Sequence, residues 1–417
     1  MSVDHFEYNF DTTSLYGNEN LDDLSPGNGD ENSENCFPRD VPNLVGTWIG
    51  RDTSTKVDTN GDDRTSSGDI LVFEDSETRN IDNPFISGKL SGRCTVLLNS
   101  ETRITDEYYC VTTFAPENGI AVFSGDLRMM SVVGATGCYT DISAIIQGTM
   151  YDEVSAYTLT LDEPSTDSTT CIPDSEFSDT WQQFTAFRYI SYGDRGNMAK
   201  PGDKLLVNDK VYTPGGIQGQ VKGECIFLPK AVRNEEFCTL SFEFSSATIS
   251  VIGQFKSMVI TGGSGCYHGI RGTVTGSHVQ NGAQYSFVLD KDNSTDLCTT
   301  IGRFDNRLTE SGPDTFFDAD LSGAPSTGDS FLFDNHPVLT SNFTDGIAAG
   351  VCHLLGPSMH AYCTSVYSFD EGSIVTAGYF EYMTIVGGTG CYSGVNGQFR
   401  GRDEEARSFS YEVTLFL

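Results

Sequence analysis

GGTGCYSG, from Gly387 to Gly394, decides the fold of this chain because the same pattern occurs three times. It recurs as GGSGCYHG from Gly262 to Gly269 and as GATGCYTD from Gly134 to Asp141. Each copy follows an apolar run typical of a strand and precedes a second strand that ends at an aligned tyrosine: Tyr157, Tyr285 or Tyr411. Glycines between two such runs supply the positive φ angles of a tight connection. The chain is therefore a tandem triplication.

The period of this motif divides the 417 residues into an acidic tail and three repeats. The tail is residues 1–35, and the repeats are residues 36–170, 171–297 and 298–417. Repeats of about 120 to 130 residues are each large enough for a hydrophobic core. Residues 1–34 carry nine acidic side chains and no Lys or Arg, so the tail is predicted to be disordered.

The net charge of −33 limits the kinds of molecule that the chain can bind. An excess of acidic groups repels phosphate backbones and anionic lipid headgroups, which argues against nucleic-acid binding and electrostatic membrane binding. No run approaches the roughly 18 apolar residues of a transmembrane segment. The N-terminus also lacks the basic-then-apolar layout of a signal peptide, so an exported form would begin at a processed start.

Twelve cysteines fall into three sets of four, and in every set the last two are 28 residues apart. Such an even, regular placement predicts two disulfides per repeat and hence an oxidising compartment. Reduced core thiols and metal ligation are the alternatives, and four cysteines allow three connectivities. The favoured pairing joins cysteines on consecutive strands and ties the first cysteine of each repeat to the last: Cys94–Cys110, Cys225–Cys238, Cys352–Cys363, Cys36–Cys138, Cys171–Cys266 and Cys298–Cys391.

Within each repeat, apolar and polar residues alternate as in strands. A Gly-Asp step leads an apolar strand, a G-x-C step lies in the next, and period-two runs such as YYCVTTF follow. No amphipathic helix of ten residues or more is evident. We therefore predict an all-β fold of three tandem small antiparallel β-barrels, each with six to eight strands, because closure removes exposed sheet edges.

The chain resembles the allene oxide cyclases, whose barrel is shared with the dirigent proteins. The similarity is clearest in repeat three, in GDSFLFDN (Gly328–Asn335), GIAAGVC (Gly346–Cys352) and IVGGTGCYSGVNGQ (Ile385–Gln398). Repeat two carries it in GDKLLVND (Gly202–Asp209), and repeat one in GDILVFED and GATGCY. The resemblance implies an allene-oxide-cyclase-like or dirigent-like barrel in each repeat.

Cyclases of this type close an epoxide of an unsaturated fatty acid in an apolar pocket that contains an Asn, a Cys, a Tyr and a Glu. The resemblance places Asn335, Cys352 and Tyr379 at three of these positions, the last only with a gap, and Phe333 lies in the same strand as Asn335. No Glu of repeat three matches the first-strand carboxylate of the family. A disulfide at Cys352 would also remove its thiol. The reactive set is incomplete, and no catalytic residue is assigned.

Both related families form trimers of barrels, which suggests that three fused barrels reproduce a trimer in one chain. Dirigent proteins orient phenoxy radicals without performing the bond chemistry themselves. Their example offers a second, non-catalytic use for the same barrel. Contact between the first and third barrels is the observation that a closed, trimer-like arrangement requires.

Other polar motifs favour structural roles. Repeat one has no histidine between Cys36 and Thr170, which excludes a histidine mechanism common to all three repeats. The aspartates of the Gly-Asp steps are expected to accept hydrogen bonds from turn N–H groups. DTNGDD (residues 58–63) departs from the calcium-loop pattern and is interpreted as an acidic turn. We expect no cofactor and no metal.

Together these features predict a non-catalytic binding or scaffold protein in a secreted, extracellular or oxidising lumenal setting. The alternatives are a fatty-acid-epoxide cyclase confined to repeat three and a dirigent-like auxiliary that orients a small apolar ligand. Self-assembly, or association with matrix or membrane-complex proteins, is the expected partnership. Asn293 and Asn342 begin N-x-S/T sequons and are candidate glycosylation sites.

Overall fold

A computed structural model gives the structure of the chain. It describes residues 45–51, 55–59, 65–81, 86–97, 107–116, 119–139, 142, 144–150, 154–161, 177, 180–183, 188–190, 200–229, 236–244, 247–280, 282–290, 307–311, 315–318, 325–340, 345–355, 360–404 and 408–416. The predicted acidic tail, DTNGDD beyond Thr59, and both sequons lie outside the described residues.

Each repeat forms a nine-stranded antiparallel sheet, as the alternation of its sequence predicts. Barrel one contains β1 (Gly46–Arg51), β2 (Thr55–Val57), β3 (Ile70–Asn80), β4 (Ser87–Leu97), β5 (Glu107–Pro116), β6 (Gly119–Asp126), β7 (Met129–Gly137), β8 (Ala144–Met150) and β9 (Val154–Leu161). Barrel two contains β10 (Thr180–Gln183), β11 (Arg188–Ile190), β12 (Lys204–Tyr212), β13 (Gln218–Phe227), β14 (Glu236–Phe244), β15 (Ala247–Gln254), β16 (Ser257–Gly263), β17 (Gly272–Val279) and β18 (Gly282–Leu289). Barrel three contains β19 (Arg307–Ser311), β20 (Thr315–Phe317), β21 (Ser330–Thr340), β22 (Asp345–Leu355), β23 (His360–Phe369), β24 (Gly372–Tyr379), β25 (Tyr382–Gly388), β26 (Asn396–Glu404) and β27 (Ser408–Phe416).

The sheets close because the first strand of each pairs with both the last and the third. β1 pairs with β9 and β3, β10 with β18 and β12, and β19 with β27 and β21. Eight strands thus form the ring. The short second strand pairs with the beginning of the third strand, on the same edge that the first strand pairs with further along. The sequence missed these short opening strands, since runs of three to six residues give little periodicity to detect.

Alternate residues of each strand point into the barrels, as expected for small barrels whose interiors are filled by side chains. Many of these inward residues are aromatic. In barrel one, the rings of Trp48 and Phe114 are 4.6 Å apart. In barrel two, the rings of Trp181 and Phe287 are 4.1 Å apart. The motif tyrosines belong to the same interior clusters and are buried: Tyr139, Tyr267 and Tyr392.

The glycines of the deciding motif have two different functions. The glycine at the fourth position of each copy has the predicted positive φ: 64° at Gly137, 59° at Gly265 and 58° at Gly390. The first glycine instead lies against the backbone of another barrel. A Cβ on Gly134 would lie 2.8 Å from the carbonyl oxygen of Ile385, in barrel three. A side chain at this position would therefore hold two barrels apart.

The same contact recurs around the three barrels. A Cβ on Gly262 would lie 3.1 Å from the carbonyl oxygen of Val132, and one on Gly387 would lie 3.1 Å from the Cα of Thr261. Barrel one therefore touches barrel three, barrel two touches barrel one, and barrel three touches barrel two. This cyclic set agrees with the predicted trimer-like arrangement, which required contact between the first and third barrels.

Outward-facing apolar residues from all three barrels form one buried cluster at this junction. Its larger members include Val122 and Val133 of barrel one, Phe237 and Ile252 of barrel two, and Val366 and Val386 of barrel three. Each would cost roughly 1.5–3 kcal/mol to leave exposed, so the barrels have a hydrophobic reason to associate. In the described part of the chain, no helix has the length and apolar character needed to cross a membrane.

Candidate functional site

The interior of barrel three, where the resemblance places a pocket, is filled by aromatic side chains. Phe333, Tyr367, Phe399 and Tyr411 are all buried in its core cluster. The ring of Tyr367 lies 5.0 Å from that of Phe399 and 5.7 Å from that of Tyr411. Rings at these distances are in contact, so the middle of the barrel is occupied by protein.

Cys352 is joined to Cys363 by a disulfide across the β22–β23 pair. The same cross-strand bridge joins Cys94 to Cys110 and Cys225 to Cys238, as the sequence predicted. In all three bridges the two cysteines lie directly opposite each other in the strand register. Cys352 is therefore a structural residue here and offers no thiol for chemistry.

The second predicted bridge of each repeat can be followed at one end only. Cys138, Cys266 and Cys391 are disulfide-bonded. Their predicted partners lie outside the described residues: Cys36, Cys171 and Cys298.

The other pocket candidates do not converge on Phe333 and Cys352. Asn335 lies in a β-bulge between Phe333 and His336, and its side chain is outside the described part of the structure. Tyr379 faces the outside of the barrel, where its ring lies 6.3 Å from that of Tyr362 and packs against an apolar cluster with members from all three barrels. The structure thus places Tyr379 at a contact between barrels and Phe333 in a barrel interior.

One residue near the expected pocket was missed by sequence comparison. Strand β19 pairs with β27 so that Leu308 lies opposite Tyr411 and Glu310 opposite Phe409. In barrel two, the same register places Trp181 opposite Tyr285 and Gln183 opposite Ala283. Glu310 therefore has the strand position of Gln183. The missing tryptophan in repeat three hid this first strand from the sequence alignment.

Barrel two contains a buried polar network at the corresponding place. The hydroxyl of Tyr285 donates to Gln183 Oε1 at 2.7 Å, and Gln183 Nε2 donates to Asp209 Oδ2 at 3.0 Å. Burial, with the nearby carboxylates of Asp209 and Glu236, raises the pKa of Tyr285 above its ordinary value. The phenol therefore stays protonated and acts as a hydrogen-bond donor.

His278 and Glu236 are within hydrogen-bond distance of each other in the same barrel. His278 Nε2 lies 2.9 Å from Glu236 Oε2, and the imidazole stacks on Phe255 with ring centres 4.6 Å apart. The Glu236 side chain is buried, whereas that of His278 is 44% exposed. The other two barrels have Met150 and Asp403 at the strand position of His278, so this pair exists in one barrel alone.

Barrel one contains a cavity of about 10 Å³. Its lining residues are Trp48, Thr78, Leu90, Phe114, Ile146 and Tyr157. This volume accommodates about one water molecule and is far below the several hundred Å³ of a pocket for an organic ligand.

A buried charged cluster lies at the contact between barrels one and two. Arg93 forms a salt bridge with Glu224, and Thr95 donates to Glu224 Oε2 at 3.0 Å. Lys204 Nζ lies 3.5 Å from the same carboxylate oxygen. Although burial raises the pKa of Glu224, Arg93 and Lys204 outweigh it and hold the pKa below its ordinary value. Burial lowers the pKa of Lys204 to about 8, with Glu224 opposing and Arg93 adding to this shift.

A second cluster at this contact contains one cation and two carboxylates, whereas the first contains two cations and one carboxylate. Lys222 Nζ lies 2.7 Å from Asp126 Oδ2 of barrel one and 3.0 Å from Glu243 Oε2. Burial lowers the pKa of Lys222, but the two carboxylates outweigh it and raise the pKa above its ordinary value. Burial raises the pKa of Glu243 to about 7, because Lys222 compensates it only in part and Asp126 repels it.

Glu243 should make the protein less stable as the pH rises. With a pKa of about 7 in the folded state and 4.5 ordinarily, Glu243 binds more protons in the folded chain between these values. The free energy of unfolding therefore falls by up to about 3 kcal/mol from pH 4.5 to 7 through this group. We expect Glu243→Gln to remove this part of the pH dependence, measured by urea unfolding across that range.

Exposed Glu412 provides the matched control, and Glu412→Gln should leave the wild-type pH curve unchanged. Curves for wild type and Glu243→Gln that run parallel from pH 4.5 to 7 would show that Glu243 titrates normally in the folded state.

The repeated Gly-Asp steps have the predicted structural role. Asp69, Asp203 and Asp329 are fully buried, and each accepts a hydrogen bond from the backbone N–H three residues earlier, at 2.6 to 2.8 Å. Among the described residues, no group of three or more His, Cys, Asp or Glu side chains could hold a metal ion.

Comparisons with known proteins give the chain no family. No protein-family model matches it, and no curated protein matches it. Among solved structures, a pyocyanin demethylase is similar, with 22% identity and a TM-score of 0.23. The match covers 26% of this chain and 98% of that protein. A TM-score this low carries no information on function.

Proposed function

We propose that this chain is a non-catalytic binding or scaffold protein made of three allene-oxide-cyclase-like barrels. It works in a secreted, extracellular or lumenal setting. Its barrels present outer surfaces, and their interiors serve as rigid cores. Association with copies of itself or with matrix or membrane-complex proteins is the partnership that this role implies.

The aromatic filling of barrel three is the observation that carries the proposal. A fatty acyl chain needs a pocket that buries most of its length, and pockets for such ligands measure roughly 300–1,000 Å³. Tyr367, Phe399 and Tyr411 are in ring-to-ring contact where such a chain would lie. The Cys352–Cys363 disulfide supports the same conclusion, because it removes the thiol of the cyclase-like set.

The proposed setting rests on the cross-strand disulfides. Three bridges of one kind, one in each barrel, are typical of proteins that mature in an oxidising compartment. The strongly acidic composition is compatible with a soluble extracellular protein, although it names no partner.

An isomerase confined to repeat three is the enzymatic alternative, and one reaction separates it from the proposal. The purified chain is incubated with an unsaturated fatty-acid epoxide, and the cyclic products are resolved on a chiral column. We expect the same racemic products, at the same rate, as in buffer. Stereoselective ring closure that disappears in Asn335→Ala but persists in Gln218→Ala, an exposed amide in barrel two, would establish the cyclase and defeat the scaffold proposal.

A dirigent-like role needs a different assay. An oxidase supplies phenoxy radicals, and the enantiomeric ratio of the coupled product is measured with and without the chain. Under our proposal the ratio stays at unity, whereas an enantiomeric excess would assign the chain to that role.

A further inference from the structure

The charged cluster between barrels one and two is built on three strand positions that recur in all three barrels. The first is the middle residue of each G-x-C step. The second is the residue after the cysteine, and the third is the residue paired with it at the start of the preceding strand. These positions are Arg93, Thr95 and Ile70 in barrel one, Glu224, Ile226 and Lys204 in barrel two, and Val351, His353 and Ser330 in barrel three.

Because the barrels contact one another cyclically, equivalent positions converge on a common centre. The Arg93–Glu224 salt bridge shows this convergence directly between barrels one and two. Electrostatic effects reach barrel three, since burial together with Arg93 and Lys204 holds the pKa of His353 well below its ordinary value. His353 is therefore uncharged, and the two cations lie close enough to influence its pKa. Val351, two residues before it on the same face of β22, packs in the apolar cluster that all three barrels share.

Each barrel contributes one buried donor atom that lacks a hydrogen-bond partner among the described residues. These atoms are Arg93 Nη1, Lys204 Nζ and His353 Nε2, on side chains that are almost fully buried. The Ser330 hydroxyl lies 2.6 Å from His353 Nδ1. When that hydroxyl donates to Nδ1, the hydrogen of the neutral imidazole is on Nε2, which makes Nε2 a donor as well.

The local carboxylate cannot satisfy all of these donors. Glu224 already accepts from Arg93 and Thr95 and is the counter-charge of Lys204. Asp126 and Glu243, the other buried acids of this contact, are held by Lys222. Two cations thus share one carboxylate, and an unpaired buried cation or donor is costly.

We propose that the barrel junction binds a small monovalent inorganic anion, held by Arg93 Nη1, Lys204 Nζ and His353 Nε2. The anion would balance the charge that Glu224 leaves uncompensated. It would also join all three barrels through one ligand, because each barrel supplies one donor. Nothing in the proposed scaffold function requires this site, and either proposal can fail without the other.

Chloride is the probe, and the full chain is used. The thermal unfolding midpoint is measured while sodium chloride replaces sodium gluconate at constant ionic strength, so that general screening of the acidic surface stays constant. A ligand specific for the folded state raises the midpoint in a saturable way. We expect a rise of about 2 °C or more, which is lost in Lys204→Met and reduced in His353→Leu.

Lys256→Met is the matched control, because it removes an exposed lysine and should keep the full response to chloride. His353→Leu keeps Arg93, Lys204 and Glu224, so the salt bridges between barrels one and two stay intact and the variant is expected to fold. Crystals grown in sodium bromide should show an anomalous peak among the three donor atoms. A midpoint independent of chloride, an equal response in Lys204→Met, or only a water molecule at this position would overturn the proposal.

Discussion

Replacing Gly134 with valine should loosen the contact between barrels one and three and lower the free energy of unfolding by about 3 kcal/mol. A Cβ at this position would lie 2.8 Å from the carbonyl oxygen of Ile385 and 2.8 Å from the Cα of Val386. Both are backbone atoms of a hydrogen-bonded strand, so neither can rotate away as a flexible side chain could. The barrels must move apart, which exposes the apolar junction cluster.

The equivalent substitutions, Gly262→Val and Gly387→Val, should lower the free energy of unfolding by less than Gly134→Val does. Gly262 and Gly387 have slightly more space, with closest approaches of 3.1 Å to the neighbouring barrel. Urea unfolding gives the loss of stability, and small-angle scattering gives the radius of gyration, which should increase. Far-UV circular dichroism should stay the same, because each barrel keeps its own core and disulfides.

Gly216→Asn is the matched control for these variants. Gly216 has a φ of 82°, and a Cβ there would meet no atom within 4 Å. Asparagine tolerates that conformation, so we expect a loss of about 1 kcal/mol or less. A Gly134→Val protein with unchanged stability and radius, or an equal loss at Gly216, would contradict the role assigned to the first glycine of the motif.

Local features of this fold could be predicted from sequence, because they depend on neighbours along the chain. Strand alternation predicted the barrels, and consecutive strands predicted the bridge between Cys352 and Cys363. The positive φ of Gly390 likewise follows from a turn of a few residues. The crowding at Gly134 could not be predicted in this way, since the atoms that cause it are about 250 residues away in the chain.

The expected pocket shows how sensitive such predictions are to strand register. Adjacent residues of a strand point to opposite faces, so an alignment shifted by one residue moves a side chain from the interior to the outside. Tyr379 was matched to the family only with a gap. In β24, Ile374 packs in the barrel core, whereas Val375 and Ala377 pack in the junction cluster, and Tyr379 continues their outward-facing series.

The charged cluster between barrels one and two could have been detected in the sequence, but not by a search for residues that are the same in every repeat. The middle residue of the G-x-C step is Arg93, Glu224 or Val351, which looks unconstrained when the repeats are compared. In a homotrimer, this position would bring three identical side chains together, and three arginines or three glutamates would repel. A fused chain can place opposite charges there. Positions that differ in charge between repeats therefore indicate contacts between barrels.

Removing the carboxylate of Glu224 should be among the most destabilising single changes in the chain. Glu224→Gln keeps the shape of the side chain but leaves Arg93 and Lys204 buried without a counter-charge. Breaking a buried pair in this way costs about 3–5 kcal/mol, whereas replacing both partners with apolar residues is often neutral. We therefore expect Arg93→Met and Lys204→Met combined with Glu224→Met to recover most of the stability that Glu224→Gln loses, because no buried charge of the group then remains.

Acid should remove the same contribution in the wild-type protein. Arg93 and Lys204 depress the pKa of Glu224, so its stabilising contribution is complete above the ordinary pKa of 4.5 and is lost as the pH falls through the lower folded value. Urea unfolding in buffer without halide, with the single and double variants of Arg93 and Glu224, measures the coupling between the two side chains. Exposed Glu412→Gln should change stability by less than about 0.5 kcal/mol. A Glu224→Gln protein as stable as Glu412→Gln would mean that the buried pair contributes nothing to holding barrels one and two together.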